Sequence, residues 1–305
     1  MGLPKIITIV GTNASGKSAL GIALARAFGG EIISADSRQV YAGFDLCCGK
    51  VTAAERALVA HHMLDERNLL GIGADEFFTV YDFQQRAYGL IGEIMARGCV
   101  PFVVGGTGQY VESVARGYVL ADGVVDAVLR AELDELSVEE LQERLTAEAF
   151  ARLSKNASDF QNKRRLVRAI EKAAQGEPLA YENAARYEVL QLGVTWPKEM
   201  LHARIDERLD ARIDAGMIDE VRAYLDAGGD EAHLHRLGLE YRYVLWYVQG
   251  RYKSLGEFKA DMARAIKRFA KRQMTWFRRD AGIRWIDMRG DYMAQAAALV
   301  EAFLA

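Results

Sequence analysis

Lys5-Ile-Ile-Thr-Ile-Val-Gly11-Thr12-Asn13-Ala14-Ser15-Gly16-Lys17-Ser18 runs from a β-branched strand signal straight into the pattern GxxxxGK[ST], and the stretch 19–28 after it reads as a helix. Strand, glycine-rich loop and helix in that order make a phosphate cradle. The glycines let backbone N–H groups turn inward around an anion, and the helix N-terminus adds partial positive charge. Lys17 reaches terminal phosphate oxygens, and the Ser18 hydroxyl suits Mg2+. The ligand expected across Gly11, Thr12, Asn13, Ala14, Ser15, Gly16, Lys17 and Ser18 is a di- or triphosphate. A Gly-Ser turn that merely caps a helix is the plain alternative, and the flanking strand and helix weigh against it.

Outward from the loop, Glu31-Ile-Ile-Ser-Ala35 and Val100-Pro-Phe-Val-Val-Gly105 read as further buried strands. The second of these follows a helical stretch, 82–98, whose Gly98 stands where a C-cap belongs. Short strands alternating with amphipathic helices are the rhythm of a parallel sheet. From Asp122 to Glu148 the composition changes to nine acidic residues against two basic, with leucines at helical spacing, the sign of an inserted helical layer. Helix continues through Lys163-Arg164-Arg165-Leu-Val-Arg168, and a short run around Leu192 supplies one more strand. Beyond it Leu201, Ile205, Leu209 and Ile213 step by four, and Ile218, Val221 and Leu225 prolong an apolar face. The expected fold is α/β: a P-loop NTPase-like parallel sheet core over 1–120 and 190–305, with an inserted helical domain over 121–189 and a helical C-terminal segment.

With half of its 305 residues hydrophobic and a formal charge of −3, the chain suits a large buried core and is not polybasic overall. Its three cysteines, Cys47, Cys48 and Cys99, give neither a disulfide framework nor a zinc ribbon, so a reducing cytoplasm is expected. The N-terminal apolar run is too short for a signal peptide. No stretch approaches the roughly 18 apolar residues of a membrane span, so a soluble protein with no membrane partner is expected.

Two more strand ends carry chemistry. Ser34-Ala-Asp36-Ser37-Arg38-Gln39-Val-Tyr41 puts a carboxylate at the C-terminal edge of a strand, where ligands of open α/β sheets sit. Asp36 is a candidate base or metal partner, against the plain reading of a turn aspartate. No apolar run ending in Asp marks the Walker-B carboxylate that kinases and NTPases use. Gly105-Gly106-Thr107-Gly108-Gln109-Tyr110 lets backbone approach a ligand closely, and Thr107 is placed to donate to a phosphate oxygen.

Between Arg264 and Arg279 lie seven Lys/Arg and no acid. At about 100° per residue, Arg264, Lys267, Arg268, Lys271, Arg272, Arg278 and Arg279 share an arc of roughly 140°, opposite Ile266, Phe269, Trp276 and Phe277. A solvated helix face is the bland reading; seven like charges without a balancing carboxylate favour an anionic partner. With the second basic cluster at 163–168, an extended polyanion such as RNA is expected.

In order along the chain, GTNASGKS, SADSRQVY, GGTGQY, NKRRLVRAIE and AKRQMTWFR resemble the motifs of the tRNA dimethylallyltransferase, or isopentenyl-tRNA transferase, family. Secondary marks agree: Gly43-Phe-Asp45, His61-His62-Met-Leu-Asp65 and Tyr81-Asp-Phe83. The resemblance runs from Gly11 to Arg278 and implies transfer of a dimethylallyl group from dimethylallyl diphosphate to N6 of the adenosine 3′-adjacent to the anticodon, position 37, of tRNA. It implies that Asp36 and Thr107 are catalytic: Asp36 holds or deprotonates N6, and Thr107 donates to the bridging oxygen of the leaving group. The 11–18 loop, with Mg2+ at Ser18, and Arg236 would bind the diphosphate. The anticodon stem-loop would meet Asp36, Ser37, Arg38, Gln39, Arg164, Arg165, Arg168, Lys267, Lys271, Arg272, Gln273, Trp276 and Arg278, in a monomeric cytoplasmic enzyme.

This chain also departs from the family's pattern. Thr12-Asn13 and Ser18 stand where the loop usually reads GPTASGKT. After Asp45 only Lys50 keeps the usual residue. Aligning on Tyr241 puts Glu240 at a usual glycine and moves Arg236 one place out of register. The competing readings are a prenyltransferase on free adenine nucleotides, a P-loop small-molecule kinase and a catalytically silent RNA-binding module.

Overall fold

The computed structural model describes residues 2–73, 76–120, 126–145, 160–174 and 183–305. The chain divides into two compact units, one of residues 1–116 with 185–305 and the other of residues 117–184. Of the insert expected over 121–189, positions 121–125, 146–159 and 175–182 lie outside the described residues.

The larger unit is built on a six-stranded, all-parallel sheet in the order β3-β2-β4-β1-β5-β6. Its strands are β1 (Lys5–Val10), β2 (Gly30–Ser34), β3 (His61–His62), β4 (Val100–Gly105), β5 (Glu188–Thr195) and β6 (Arg284–Asp287). Its helices on the N-terminal side of the insert are α1 (Lys17–Ala27), α2 (Asp45–Cys48), α3 (Ala53–Leu58), α4 (Val80–Ala96) and α5 (Gly108–Ala115). Central β1 is apolar on both faces because both are covered. Ile6 and Val10 pack with Phe83, Leu90 and Ile91 of α4 and Val111 of α5. Ile7 and Ile9 pack with Leu20 and Leu24 of α1. A capping box between Thr79 and Asp82 starts α4, and Gly98 at φ 75° follows its last turn.

After β5 come α9 (Lys198–Asp214), α10 (Met217–Asp226), α11 (Glu231–Leu237), α12 (Leu239–Val248) and α13 (Leu255–Phe277). As the four-residue stepping predicts, Ile205, Leu209 and Ile213 of α9 are buried, in a core with Tyr41, Phe44, Tyr224, Tyr241 and Phe258. The C-terminal part is not wholly helical. Chain returns to the sheet as β6, parallel to β5, and α14 (Tyr292–Leu304) lays Ala296 and Val300 on the α1 face. In the smaller unit α6 (Ala127–Glu135), α7 (Val138–Arg144) and α8 (Lys163–Ala174) enclose Leu133, Leu141, Leu166 and Val167.

Asp45, Lys50 and Asp65, scattered in sequence, meet under the loop that follows β2. The Lys50 ammonium, with its side chain wholly out of water, donates to the Tyr41 carbonyl at 2.8 Å and to Asp45 at 2.7 Å, and also to Asp65, which Arg56 holds at 2.8 Å. Removing one partner of such a cluster strands the others. Lys50→Ala is expected to lower unfolding free energy by about 3 kcal/mol, read from urea denaturation; a loss under about 1 kcal/mol would mean that the cluster behaves as an exposed pair.

Candidate active site

The loop between β1 and α1 turns through two left-handed residues, Ala14 at φ 59° and Gly16 at φ 90°, a conformation that curls successive amides round an anion. It is fastened from outside by the C-terminal part of the chain. Trp196 Nε1 donates to the Ser15 carbonyl at 2.9 Å and Arg204 Nε to the Ala14 carbonyl at 3.0 Å. Buried Gln273 of α13 accepts from the Asn13 N–H at 2.9 Å and donates to the Gly106 carbonyl at 3.0 Å. Beside the loop opens a cavity of about 440 Å³ lined by Gly16, Lys17, Ser18, Glu55, Arg204 and Arg208, among others.

Lys17 donates to the Thr12 carbonyl at 3.3 Å. Its pKa is pushed down to about 8 by burial, and Arg208 and Arg212 push the same way against the opposing pull of Asp36. Three cations thus lie within one another's field beside the loop. Arg204, Arg208 and Arg212 escaped the motif reading although they recur every four residues along α9, beside its apolar stripe. Arg208 donates to the Gly49 carbonyl at 3.2 Å, and burial together with Arg212 lowers its pKa to about 10.

The other two strand ends interlock. Ala35 of the β2 end donates to Val104 at 2.9 Å, and its carbonyl accepts from the Thr107 N–H at 3.2 Å. The Ser37 N–H donates to Thr107 Oγ1 at 3.0 Å, and that hydroxyl donates to Ser37 Oγ at 3.3 Å. Asp36 Oδ1 accepts from the Arg38 N–H at 3.0 Å, so Asp36 shapes its own turn within the field of Lys17, between two residues that bond to Thr107.

Not every expected residue is where the sequence suggested. Arg236 lies over the Phe77 ring at 4.1 Å, and the guanidiniums at the loop are those of α9. Gln273 is turned inward to the loop and Gly106, not out to a partner. Lys267 pairs with Asp206 at 2.7 Å and Arg264 with Asp261 at 2.9 Å, so part of the basic arc has local counter-charges. Trp276 is half-buried against Gly108, where a Cβ would come within 2.4 Å of the indole. Gln39 bonds to Ser34 at 2.7 Å. Lys271, Arg272 and Arg278 are exposed along α13 and its end. On α8 of the smaller unit Arg164 and Arg165 are exposed, whereas Arg168 pairs with buried Glu171 at 3.4 Å.

A family model described as IPP transferase matches residues 39–280. The chain belongs to the IPP transferase family. It is 43% identical over 293 residues to tRNA dimethylallyltransferase 2 of Syntrophotalea carbinolica, covering 94% of this chain and 95% of that one. It is 40% identical over 299 residues to tRNA dimethylallyltransferase 1 of Geotalea daltonii, with 97% and 94% covered. The solved tRNA isopentenylpyrophosphate transferase of Bacillus halodurans superposes with a TM-score of 0.73 at 33% identity, over 98% of this chain and 96% of that one. The family model begins at residue 39, so in this IPP transferase the GxxxxGK[ST] pattern of residues 11–18 and its left-handed turns are independent of that match.

In the expected role of Lys17 as an anion ligand, which requires it protonated, its affinity contribution is present below about pH 8 and lost above it. Relative to Lys17→Arg, in which the charge persists, the affinity for inorganic diphosphate is expected to fall about tenfold by one pH unit above that value. Calorimetry of both proteins across pH 7 to about 9.5 checks this, and parallel profiles would remove Lys17 as the titrating group.

Proposed function

We propose that the chain transfers a dimethylallyl group from dimethylallyl diphosphate to N6 of adenosine 37 in tRNA, releasing diphosphate. The observation that carries this reading is the junction that ties Ala35 and Ser37, the neighbours of Asp36, to Thr107 beside a cation-lined phosphate loop. Membership of the IPP transferase family along nearly the whole chain supports it. In the reaction the allylic C1–O bond breaks and its electron pair leaves with the diphosphate. The N6 lone pair forms the new C1–N bond, and the proton shed by N6 passes to the Asp36 carboxylate. Thr107, now donating to Ser37, turns its hydroxyl to the bridging oxygen, and Lys17, Arg208 and the loop amides hold the charge that gathers there. Side chains form no covalent bond. Alignment of the two substrates supplies on the order of 7–11 kcal/mol.

Among the described residues no cluster of three His, Cys, Asp or Glu is built to hold a metal. Mg2+ is commonly bound by few protein oxygens together with substrate phosphates, and the Ser18 hydroxyl with the Glu55 carboxylate in the same cavity fits that donor set. When bound there, Mg2+ would neutralise charge on the leaving diphosphate. Exposed Lys271, Arg272 and Arg278 serve the phosphates of the anticodon stem-loop, where extruding an unpaired loop base costs only a few kcal/mol. No described helix is long and apolar enough to cross a membrane, and the enzyme is read as a cytoplasmic monomer.

Labelled dimethylallyl diphosphate offered with tRNA or with AMP, ADP or ATP decides the acceptor: label on tRNA is expected, and label on a mononucleotide, or γ-phosphate transfer from ATP, would replace this reading. Asp36→Asn is expected to cut turnover by about 10²–10⁴-fold with tRNA binding intact; normal turnover would remove Asp36 from the mechanism.

The α13 residues separate in a salt series. Lys271→Ala and Arg272→Ala are each expected to flatten the slope of log tRNA affinity against log salt by roughly 0.7–0.9, whereas Lys267→Ala, whose charge is already paired with Asp206, should change it less. Unchanged slopes for Lys271→Ala and Arg272→Ala would turn this helix face away from RNA.

A further inference from the structure

Glu240 stands in the first turn of α12, yet its side chain reaches the phosphate loop. Its Oε1 accepts a hydrogen bond from Asn13 Nδ2 at 3.3 Å, across 227 positions of sequence. Asn13 is therefore held twice, by α13 through the bond of its backbone N–H to Gln273 and by α12 through the bond of its side chain to Glu240. The surroundings of the carboxylate are mixed. Burial and Asp36 oppose its charge, while Arg212 of α9, Arg38 of the turn after β2 and the N–H of Glu240 itself favour it.

The place of Arg212 is fixed by a missing side chain. A Cβ on Gly49 would lie 1.5 Å from one Arg212 nitrogen and 2.6 Å from one of Arg208, so both guanidiniums crowd against this glycine and beside Lys17, whose proton both repel. Such packing of like charges calls for counter-charge, and Asp36 and Glu240 are carboxylates whose fields reach this group of cations. An amide reaching out of the loop and a long carboxylate reaching toward it satisfy each other.

We propose that Glu240 is a positioning residue of the diphosphate site, fixing the crown of the phosphate loop through Asn13. This rests on the reading of the loop as the diphosphate site. A crown held in advance presents its amides without rearrangement when the anion arrives, the condition under which fixed dipoles contribute most.

Two measurements on the full chain test it: binding of inorganic diphosphate with Mg2+ by calorimetry, which needs no turnover, and steady-state prenyl transfer to tRNA. Glu240→Ala and Asn13→Ala are each expected to weaken diphosphate binding and raise KM for dimethylallyl diphosphate by about tenfold, with kcat and KM for tRNA changed by less than about twofold. Combining them should be no worse than either alone, because the first substitution has already removed the shared contact. Glu240→Gln keeps an oxygen that accepts from Asn13 and should recover most of the affinity. A combined loss of about a hundredfold, the product of independent effects, would overturn the proposal, as would Gln no better than Ala or a rise confined to KM for tRNA. If Glu240→Ala does not fold, Asn13→Ala and Glu240→Gln decide between a shared contact and none. Wild type that shows this binding pattern but prenylates no tRNA would sink the functional reading alone; active wild type with variants that bind diphosphate normally would sink this inference alone.

Discussion

The phosphate loop is held open from behind, and the arrangement of the larger unit follows from that. A loop of eight residues with two in the left-handed region carries backbone strain and would relax if its carbonyls were free to turn inward. Trp196 and Arg204 take the carbonyls of Ser15 and Ala14, and Gln273 bridges Asn13 to the Gly106 carbonyl on the neighbouring strand end. Each such bond contributes only about 1 kcal/mol to stability. Their effect on geometry is larger, because they fix which way the peptide groups face before any ligand binds. The sheet anchors the start of α9, which follows β5, and the end of α13, which leads through β6 and α14 back onto the sheet.

Electrostatics make the same point. Lys17, Arg208 and Arg212 are drawn together at a cost visible in the lowered pKa values of Lys17 and Arg208, for which burial is the first cause and neighbouring cations a further one. Asp36 and Glu240 are nearby carboxylates that offset them, and Glu55 adds to this at Arg208.

What was legible in the sequence is what is local. The strand, loop and helix at 5–27, the buried strands β2 and β4, and the Gly98 stop of α4 are each written in residues within a few positions of one another. So is the apolar stripe of α9. Two elements were not: β3 has only two residues, too few for any periodicity, and β6 is four residues long inside a run dominated by charge. The site was half legible for the same reason. Asp36 and Thr107 lie at the ends of readable strands, whereas the burial of Gln273 depends on a partner 260 positions away and the pairing of Lys267 on one 61 away. A helical wheel assigns each residue a direction but not what waits there, so it placed Lys267 and Lys271 on one face although only the first meets a carboxylate. Arg204, Arg208 and Arg212 had a visible spacing of four; the eye was drawn to the apolar residues that share it.

The lack of a Walker-B carboxylate then becomes intelligible. Where a terminal phosphoryl group is to be attacked, a metal must be held rigidly across its oxygens, and a carboxylate at the end of an apolar strand does that. Where the electrophile is carbon and the phosphates are only the leaving group, the carboxylate is of more use beside the attacking amine. On the proposed reading Asp36 has that placement: it closes its own turn with Arg38, and the turn is locked through Ser37 to Thr107. The base and leaving-group donor of the proposed reaction are thereby joined by one short hydrogen-bonded junction between two adjacent strand ends. The distance between them is fixed by the parallel pairing of β2 with β4, and the same sheet's central strand delivers the phosphate loop alongside. The spacing that a displacement at carbon requires, between nucleophile and departing oxygen, is in this way built from inter-strand geometry and not from any flexible segment of the chain.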